Sequence, residues 1–574
     1  MNIWQLSDAY VQDLLKLDPI TSTYLGDSSQ DHLWSDNSVS GARKHHDLEQ
    51  KYLQRLGSFE EKKLPPREWV AFRVFKESLT RGIRSFEREE YYYDLNTITS
   101  SFQGLRSIFD VMETTTEKQW NNILSRLQGF STTIQQYQSR LKEGAQKNKV
   151  VAKRQVRNVI KQAKILSTDS TPEQPNFFRK LVARMKSSPI PESAKNTLTP
   201  KMEEAVTQVF QAIRNFAQFL EKDYLPSATE KDGVGVDRYR YYAERFMGMS
   251  IDPLEAYEWG WQEYYRLETQ LKQIAKEIDP TKTLPEVIQV LSTADEMSCN
   301  SQEEFASMML KRQLQAIQDL DKKHFYIPEE AKKIEVKLAP IGASRGAYYQ
   351  GPSEDFSRCG SVWYSYGSQQ RIFYYSEIAT AYHEGFPGHH LQICIARLQK
   401  ELSRFHRLCV WYPGYGEGWA LYTERLMGEL GYYEKKAFLL GMLKEQMRRA
   451  YRVVIDIGLH LSLKIPQSES FHPGETWTPE LGEQFMIERV FEIPEEARDE
   501  IARYLGWPGQ AICYKLGEKV FLELREYAQT VLKERFDLKW FHQLVLEMGP
   551  VSLEMLKELV HQSVDKKKGT LAKC

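Results

Sequence analysis

The chain has 574 residues, with 77 Lys and Arg against 78 Asp and Glu, a formal net charge of −1. That balance argues against a nucleic-acid binder, which carries a basic excess or stripe, and against an acidic solvating tail. Hydrophobic residues make up 41% and charged residues 27%, ordinary globular proportions. No run approaches the roughly 18–20 apolar residues of a membrane-spanning helix.

The start, MNIWQLSDAYVQDLLKLD, lacks a basic segment followed by a continuous apolar core, so no secretory signal is read there. The six cysteines (Cys299, Cys359, Cys394, Cys409, Cys513, Cys574) form no CxxC pair. They point to reduced thiols and a cytoplasmic protein.

In chain order, apolar positions at helical spacing (Trp120, Ile123, Leu124, Leu127, Phe130) and then a basic face (Lys149, Lys153, Arg154, Arg157, Lys161) predict helix over 117–166. The basic face is expected to be solvated rather than bound to nucleic acid. The same pattern predicts helices over 196–222, 253–278, 302–320, 435–465 and 508–531. Asp252-Pro253 and Thr478-Pro479 set proline near a helix start, where its missing N–H costs little. Pro- and Gly-bearing loops fall around 170–176, 187–192, 225–235 and 466–480. Strand-like text is confined to 334–375. There IEVKLAP alternates, while SVWYSYG and RIFYYS flank the polar turn Ser368-Gln369-Gln370, which predicts an antiparallel hairpin.

Chemistry concentrates in His383-Glu384-Gly385-Phe386-Pro387-Gly388-His389-His390. The preceding SEIATAY reads as helix, with Ser376 as N-cap, so His383 and Glu384 ride a helix into this segment. In an HExxH pattern two histidines four apart share a zinc ion and the glutamate acts on water. Here the fourth residue after His383 is Pro387, which cannot bind metal and disrupts a helix. On an ideal helix His389 would lie about 600° around from His383, and His390 about 10.5 Å further along the axis. A shared metal therefore requires the backbone to kink, bulge or break at Pro387-Gly388. His389 is favoured as the second ligand because Gly388-His389 keeps the Gly-His order; His390 stays its rival.

Glu417 follows His383 by 34 residues, in GEGWALY. Its Glu-Gly-aromatic-Ala string resembles the segment that supplies the third ligand in zincins with two His and one Glu. Three protein ligands would leave one position for water. Glu424, seven residues on, shares a helix face with Glu417 and could orient a ligand histidine.

The strings YHEGFPGHHLQ and EGWALYTERLMGELG resemble the bacterial family labelled DUF885, whose HExxPGHH segment is similar to that of zinc-dependent peptidases. LDPITSTYLGD, AYYQGPSEDFSR, YLGWPGQAICYKLG and FHQLVLEMGPVSLEMLKELV look family-like too, so the resemblance runs over most of the chain. It implies a mainly α, metallopeptidase-like fold, and it speaks to fold more than to substrate.

The expected architecture is an N-terminal helical half (1–240) and a catalytic helical half (241–574) around a central cleft, with a small antiparallel β element near 334–375. The expected function is a zinc-dependent hydrolase, a carboxypeptidase-, dipeptidase- or oligopeptidase-like enzyme, with another divalent transition metal as the alternative cofactor. His383, His389 and Glu417 hold the metal, and Glu384 is the general base. Tyr514, Lys515, Tyr412 and Tyr415 are candidate donors to the developing oxyanion or the substrate. Arg358 and Arg371, beside the expected hairpin, are candidate clamps for a substrate carboxylate. The partner is a peptide or small amide, with no nucleic acid and no membrane. Two other functions fit the same residues. One is a non-catalytic helical scaffold that binds metal or peptide at a vestigial site. The other is a metal-dependent amide or ester hydrolase acting on a small molecule. No P-loop, no GxGxxG after a strand and no GxSxG elbow is present.

Overall fold

The computed structural model describes residues 2–169, 171, 176–339, 346–367 and 369–570. Pro340 of the alternating string, Ser368 of the expected turn and Cys574 lie outside the described residues. The described chain is mainly α-helical, with five short strands. It divides into two compact units.

One unit comprises Met1–Asp232 with Ser403–Phe405. Its core forms where the helix Glu117–Gln146 lies along Glu192–Phe219, with Lys153–Leu166 and Phe177–Lys186 against them. Trp120, Ile123, Leu127, Phe130 and Ile134 recur three or four residues apart and are all buried, so one stripe of the long helix drives the packing. Thr116 and Gln119 close a capping box at its start. The single span expected over 117–166 is two helices. The first ends at Gln146, Asn148 takes a positive φ of 57°, and the second begins at Lys153. Three residues of the basic run are charge-matched: Lys149 pairs with Glu89, Lys153 with Glu230 at 2.5 Å and Arg154 with Asp232 at 3.1 Å.

The other unit comprises Gly233–Leu402 and His406–Cys574. Its helices that matter here are α1 (Pro253–Ile278), α2 (Gln302–Leu320), α3 (Glu377–Glu384), α4 (His389–Leu398), α5 (Pro413–Glu429), α6 (Lys436–Leu461), α7 (Pro494–Gly506) and α8 (Cys513–Leu532). The spacing placed α1 and α2 with these bounds. Asp252 caps α1 by accepting from the Leu254 and Glu255 amides, with Pro253 in its first turn. α6 is the axis of the unit. It is buried on nearly every face and packs along α1, where Gly260 lets the Val453 and Val454 side chains come close.

The strands are β1 (Ser298–Cys299), β2 (Ile334–Leu338), β3 (Gly346–Gln350), β4 (Gly360–Ser365) and β5 (Ile372–Phe373). The expected hairpin across residues 368–370 does not form. β4 instead lies between β2, which it pairs in parallel, and β3, which it pairs antiparallel, while β5 pairs antiparallel with the distant β1. The strand-like text covers β2, β4 and β5 while β1 falls outside it, and pairing is decided by long-range burial: Val362 and Tyr364 of β4 are buried, and Tyr364 packs edge-on against Phe305 of α2.

Candidate metal centre

The helix carrying His383 breaks where the proline demanded it. α3 ends at Glu384, Gly385-Phe386-Pro387-Gly388 turns the chain, and His389 opens α4. Gly388 makes the turn possible, because a Cβ there would lie 2.0 Å from the His383 carbonyl oxygen. Its amide donates to the Tyr382 carbonyl at 3.0 Å, and the His390 amide to Gly385 at 3.2 Å. Gln313 of α2 splints the break. Its Oε1 accepts from the Phe386 amide at 2.6 Å while its Nε2 donates to the Ala381 carbonyl. The Trp419 indole donates to the Pro387 carbonyl at 3.0 Å, tying the turn to α5. All these backbone groups are buried and would be costly unpaired.

α5 presents Glu417 through three glycines. A Cβ on Gly418 would lie 2.6 Å from the Gly517 carbonyl carbon, and one on Gly517 would lie 2.3 Å from the Gly414 carbonyl oxygen. α5 and α8 therefore cross backbone to backbone, which sets Glu417 beside Tyr514. Gly416 accommodates the Trp411 ring, which also lies 6.0 Å from the His389 ring.

His383, His389 and Glu417 converge so that their ligand atoms lie within 4.8 Å of one another. Both Nε2 atoms point at one oxygen: Glu417 Oε2 is 3.2 Å from His383 Nε2 and 3.4 Å from His389 Nε2. Charge-assisted hydrogen bonds are shorter, about 2.7–2.9 Å. Two ligands at about 2.05 Å from a tetrahedral ion stand about 3.3 Å apart, so the spacing fits a shared metal better than it fits ion pairs. His389 Nδ1 is buried without a partner among the described residues. Two imidazoles and one carboxylate are a donor set for zinc or a related transition metal, with one position left open.

Glu424, one face with Glu417 and fully buried, accepts from His383 Nδ1 at 2.7 Å. That bond turns the ring so that Nε2 faces the cluster. Burial alone would depress the His383 imidazole, but the bonds to Glu417 and Glu424 outweigh it and raise it to about 10. Burial would likewise raise Glu417; its bonds to both histidines win and hold it well below the usual carboxylate range. In the metal-free protein the proton therefore sits on imidazole, not on the carboxylate.

Glu384 is different. Burial lifts its carboxyl above the ordinary range against the pull of His383 and His389. No hydrogen bond or ion pair engages it among the described residues. Tyr514 stacks on His383 at 6.1 Å between ring centroids, with its own hydroxyl raised first by burial and then by the Glu417 charge. The sequence-derived set His383, Glu384, His389, Glu417, Glu424 and Tyr514 is thus gathered in one place.

Other expected residues are elsewhere. His390 has both nitrogens committed, donating to the Ala331 carbonyl at 2.8 Å and meeting the Tyr349 hydroxyl at 2.9 Å, and it lies outside the cluster formed by His383, His389 and Glu417. The Tyr415 hydroxyl donates to the Val545 carbonyl at 2.8 Å inside the core and is unavailable to a substrate. Lys515 is buried in an ion network with Glu263 and Glu518. Arg371 pairs with Asp295 and donates to Ser298 at 3.0 Å beside β1, and Arg358 sits on an exposed loop. Neither arginine contacts the cluster among the described residues. Pattern reading missed Arg449 and Arg452 of α6. The Arg452 guanidinium lies 4.7 Å from the Tyr514 ring centroid, and the charge of Arg449 acts on Glu384 and Glu424. The one available signal was the run KEQMRR in an otherwise apolar helix.

Comparison with known proteins follows the same line. The profile of a family described as bacterial protein of unknown function, DUF885, matches residues 19–560. The fold is similar to that of a candidate lipoprotein from Colwellia psychrerythraea, with a TM-score of 0.86 and 24% identity over 98% of this chain and 99% of that one. It is also similar to a candidate lipoprotein of unknown function from Shewanella oneidensis, with a TM-score of 0.71 and 16% identity over 97% and 99%. At these identities the likeness concerns fold. No curated protein matches the chain in sequence.

Proposed function

The chain belongs to the DUF885 family, and from its His-His-Glu cluster we propose that it is a metal-dependent hydrolase of peptide or related amide bonds. The observation that carries this reading is the convergence of His383, His389 and Glu417 within 4.8 Å, with an uncommitted Glu384 at its edge. His383, His389 and Glu417 would hold the ion. When bound, zinc or a similar divalent metal supplies a Lewis acid that acidifies water and polarises a carbonyl.

The chain's own groups do the rest. Glu424 fixes the His383 tautomer from behind. The free Glu384 carboxylate takes the proton of the attacking water and returns it to the leaving nitrogen. Its raised affinity for a proton suits both halves of that task. The Tyr514 hydroxyl, beside His383, donates to the oxygen on which negative charge develops. The Trp411 ring over Gly416 and His389 limits water at the rim.

No described helix is long and apolar enough to cross a membrane. Cys299, Cys394 and Cys513 are buried thiols, which supports a reducing compartment, and the cytoplasm is our proposal. Recovery of the native protein in a membrane fraction would overturn it.

The deciding experiment is elemental analysis of protein purified without chelator, followed by hydrolysis of a broad peptide library with and without a chelator. One zinc, manganese or cobalt per chain and chelator-sensitive cleavage is the expected result. Protein that takes up no transition metal on reconstitution would sink the proposal. Metal uptake with no turnover of any substrate would favour a binding scaffold instead.

A further inference from the structure

α6 carries Arg448, Arg449 and Arg452 within little more than one turn, beside the metal cluster. Two of them are matched in charge. Arg448 lies 3.7 Å from Glu445, 3.5 Å from Glu492 and 3.8 Å from Glu500. Arg452 donates to Glu500 at 2.9 Å and to the Tyr504 hydroxyl at 3.1 Å.

Arg449 is not so matched. Only 9% exposed, it donates from a single nitrogen, Nη1, to the Glu445 carbonyl at 3.2 Å and to the Glu445 carboxylate, a glutamate it shares with Arg448. Its Nε is buried without a partner, and no acceptor reaches Nη2 among the described residues. The Nε–Nη2 edge is one of the guanidinium edges that grips a carboxylate with two parallel bonds. A buried guanidinium nitrogen left without a hydrogen bond costs free energy unless something fills it.

The charge of Arg449 acts on the Glu384 carboxyl, on Glu424 and on Tyr514. One turn further along α6, the Arg452 guanidinium lies 4.7 Å from the Tyr514 ring, which itself stacks on His383. An anion bound at Arg449 would stand within electrostatic reach of the proposed base and donor.

We infer that Arg449 is a substrate-binding residue whose open Nε–Nη2 edge takes the C-terminal carboxylate of a peptide. This rests on the hydrolase reading above and narrows it to bonds close to a free C-terminus, the substrates of a carboxypeptidase or dipeptidase. Arg449 takes the place that the sequence offered to Arg358 and Arg371.

The test uses the full chain and N-acetylated di- and tripeptides with a free C-terminal carboxylate or a C-terminal amide. Calorimetric titration of the metal-free protein should show the acids binding at least about tenfold tighter than the amides. With zinc, kcat/KM should favour the acids by about a hundredfold. Arg449→Lys keeps a positive charge for Glu445 but loses the planar fork. It should bring both ratios close to one while melting within a few degrees of wild type, and Arg358→Met should leave both ratios in place. Equal treatment of acid and amide by the wild type overturns the inference, whatever any variant does. So does a preference that survives in Arg449→Lys. Hydrolysis without that preference removes this inference and keeps the hydrolase; selective binding with no hydrolysis does the reverse.

Discussion

His383 and Glu424 form the tightest contact of the metal centre, Nδ1 to Oε1 at 2.7 Å, wholly inside the protein. The other nitrogen of the same ring faces Glu417 at a looser 3.2 Å. One carboxylate thus orients the imidazole and the other would share the proposed ion. Removing the first, by Glu424→Ala, should weaken zinc binding about 10–100-fold while all three ligands remain. Competition against a chelating dye measures this, and unchanged affinity would mean that Glu424 does not set the ring.

Metal uptake should be proton-coupled. The metal-free imidazole of His383 holds its proton up to about pH 10, and that proton must leave before Nε2 can bind an ion. The raised value favours the protonated ring, so affinity should fall about tenfold for each unit of pH below 10 where no other group intervenes. Calorimetry in two buffers of different ionisation enthalpy should register close to one proton released at pH 8. Release of none would show that the His383 charge is not what the ion displaces.

Glu384→Gln should keep stoichiometric metal and lose about 10²–10⁴-fold in kcat, the range of a positioned general base. Elemental analysis of the same preparation separates the two effects. Normal turnover in a metal-replete variant would assign the base elsewhere.

Gly388→Ala should disable the site from a position that binds nothing. Its Cβ would meet the His383 carbonyl oxygen at 2.0 Å, and that oxygen is backbone, so the turn itself must move. A loss of about 1–3 kcal/mol in stability is expected, with weaker metal binding alongside it. A variant with unaltered melting and affinity would show that the break tolerates a side chain.

Asp456 gives the unit a titratable core. Burial raises its carboxyl to about 7, although the Tyr239 hydroxyl and the Gly509 amide both donate to it. Its unfolded value is about 3.9, so the folded state holds the proton longer, and stability is greatest below about pH 4 and falls as pH rises towards 7. Asp456→Asn should remove that slope. Relative to wild type the variant should gain about 3 kcal/mol more at pH 8 than at pH 5, read from melting curves at both. A parallel pH dependence in the two proteins would exonerate Asp456.

What the sequence disclosed and what it withheld divide along physical lines. The distortion at Pro387-Gly388 was legible because proline and helix geometry alone forbid His383 and a later histidine from sharing an ion on a straight helix. The choice between His389 and His390 was not. It depends on Ala331 and Tyr349, distant in sequence, claiming both nitrogens of His390. β4 lay in a stretch legible as strand, yet its pairing with β2 and β3 was set by tertiary burial. Arg449 was hidden because a charged residue on a helix ordinarily reads as solvated, and α6 inverts that rule by being buried on nearly every face.

The amide of Gln313 has a wider implication. It bridges both ends of the interrupted helix from α2, some seventy residues upstream, accepting from Phe386 and donating to Ala381. The turn that separates the two histidines is therefore held from outside the segment that bears them, and exchanging this single wedge would disturb it with every candidate ligand side chain left intact.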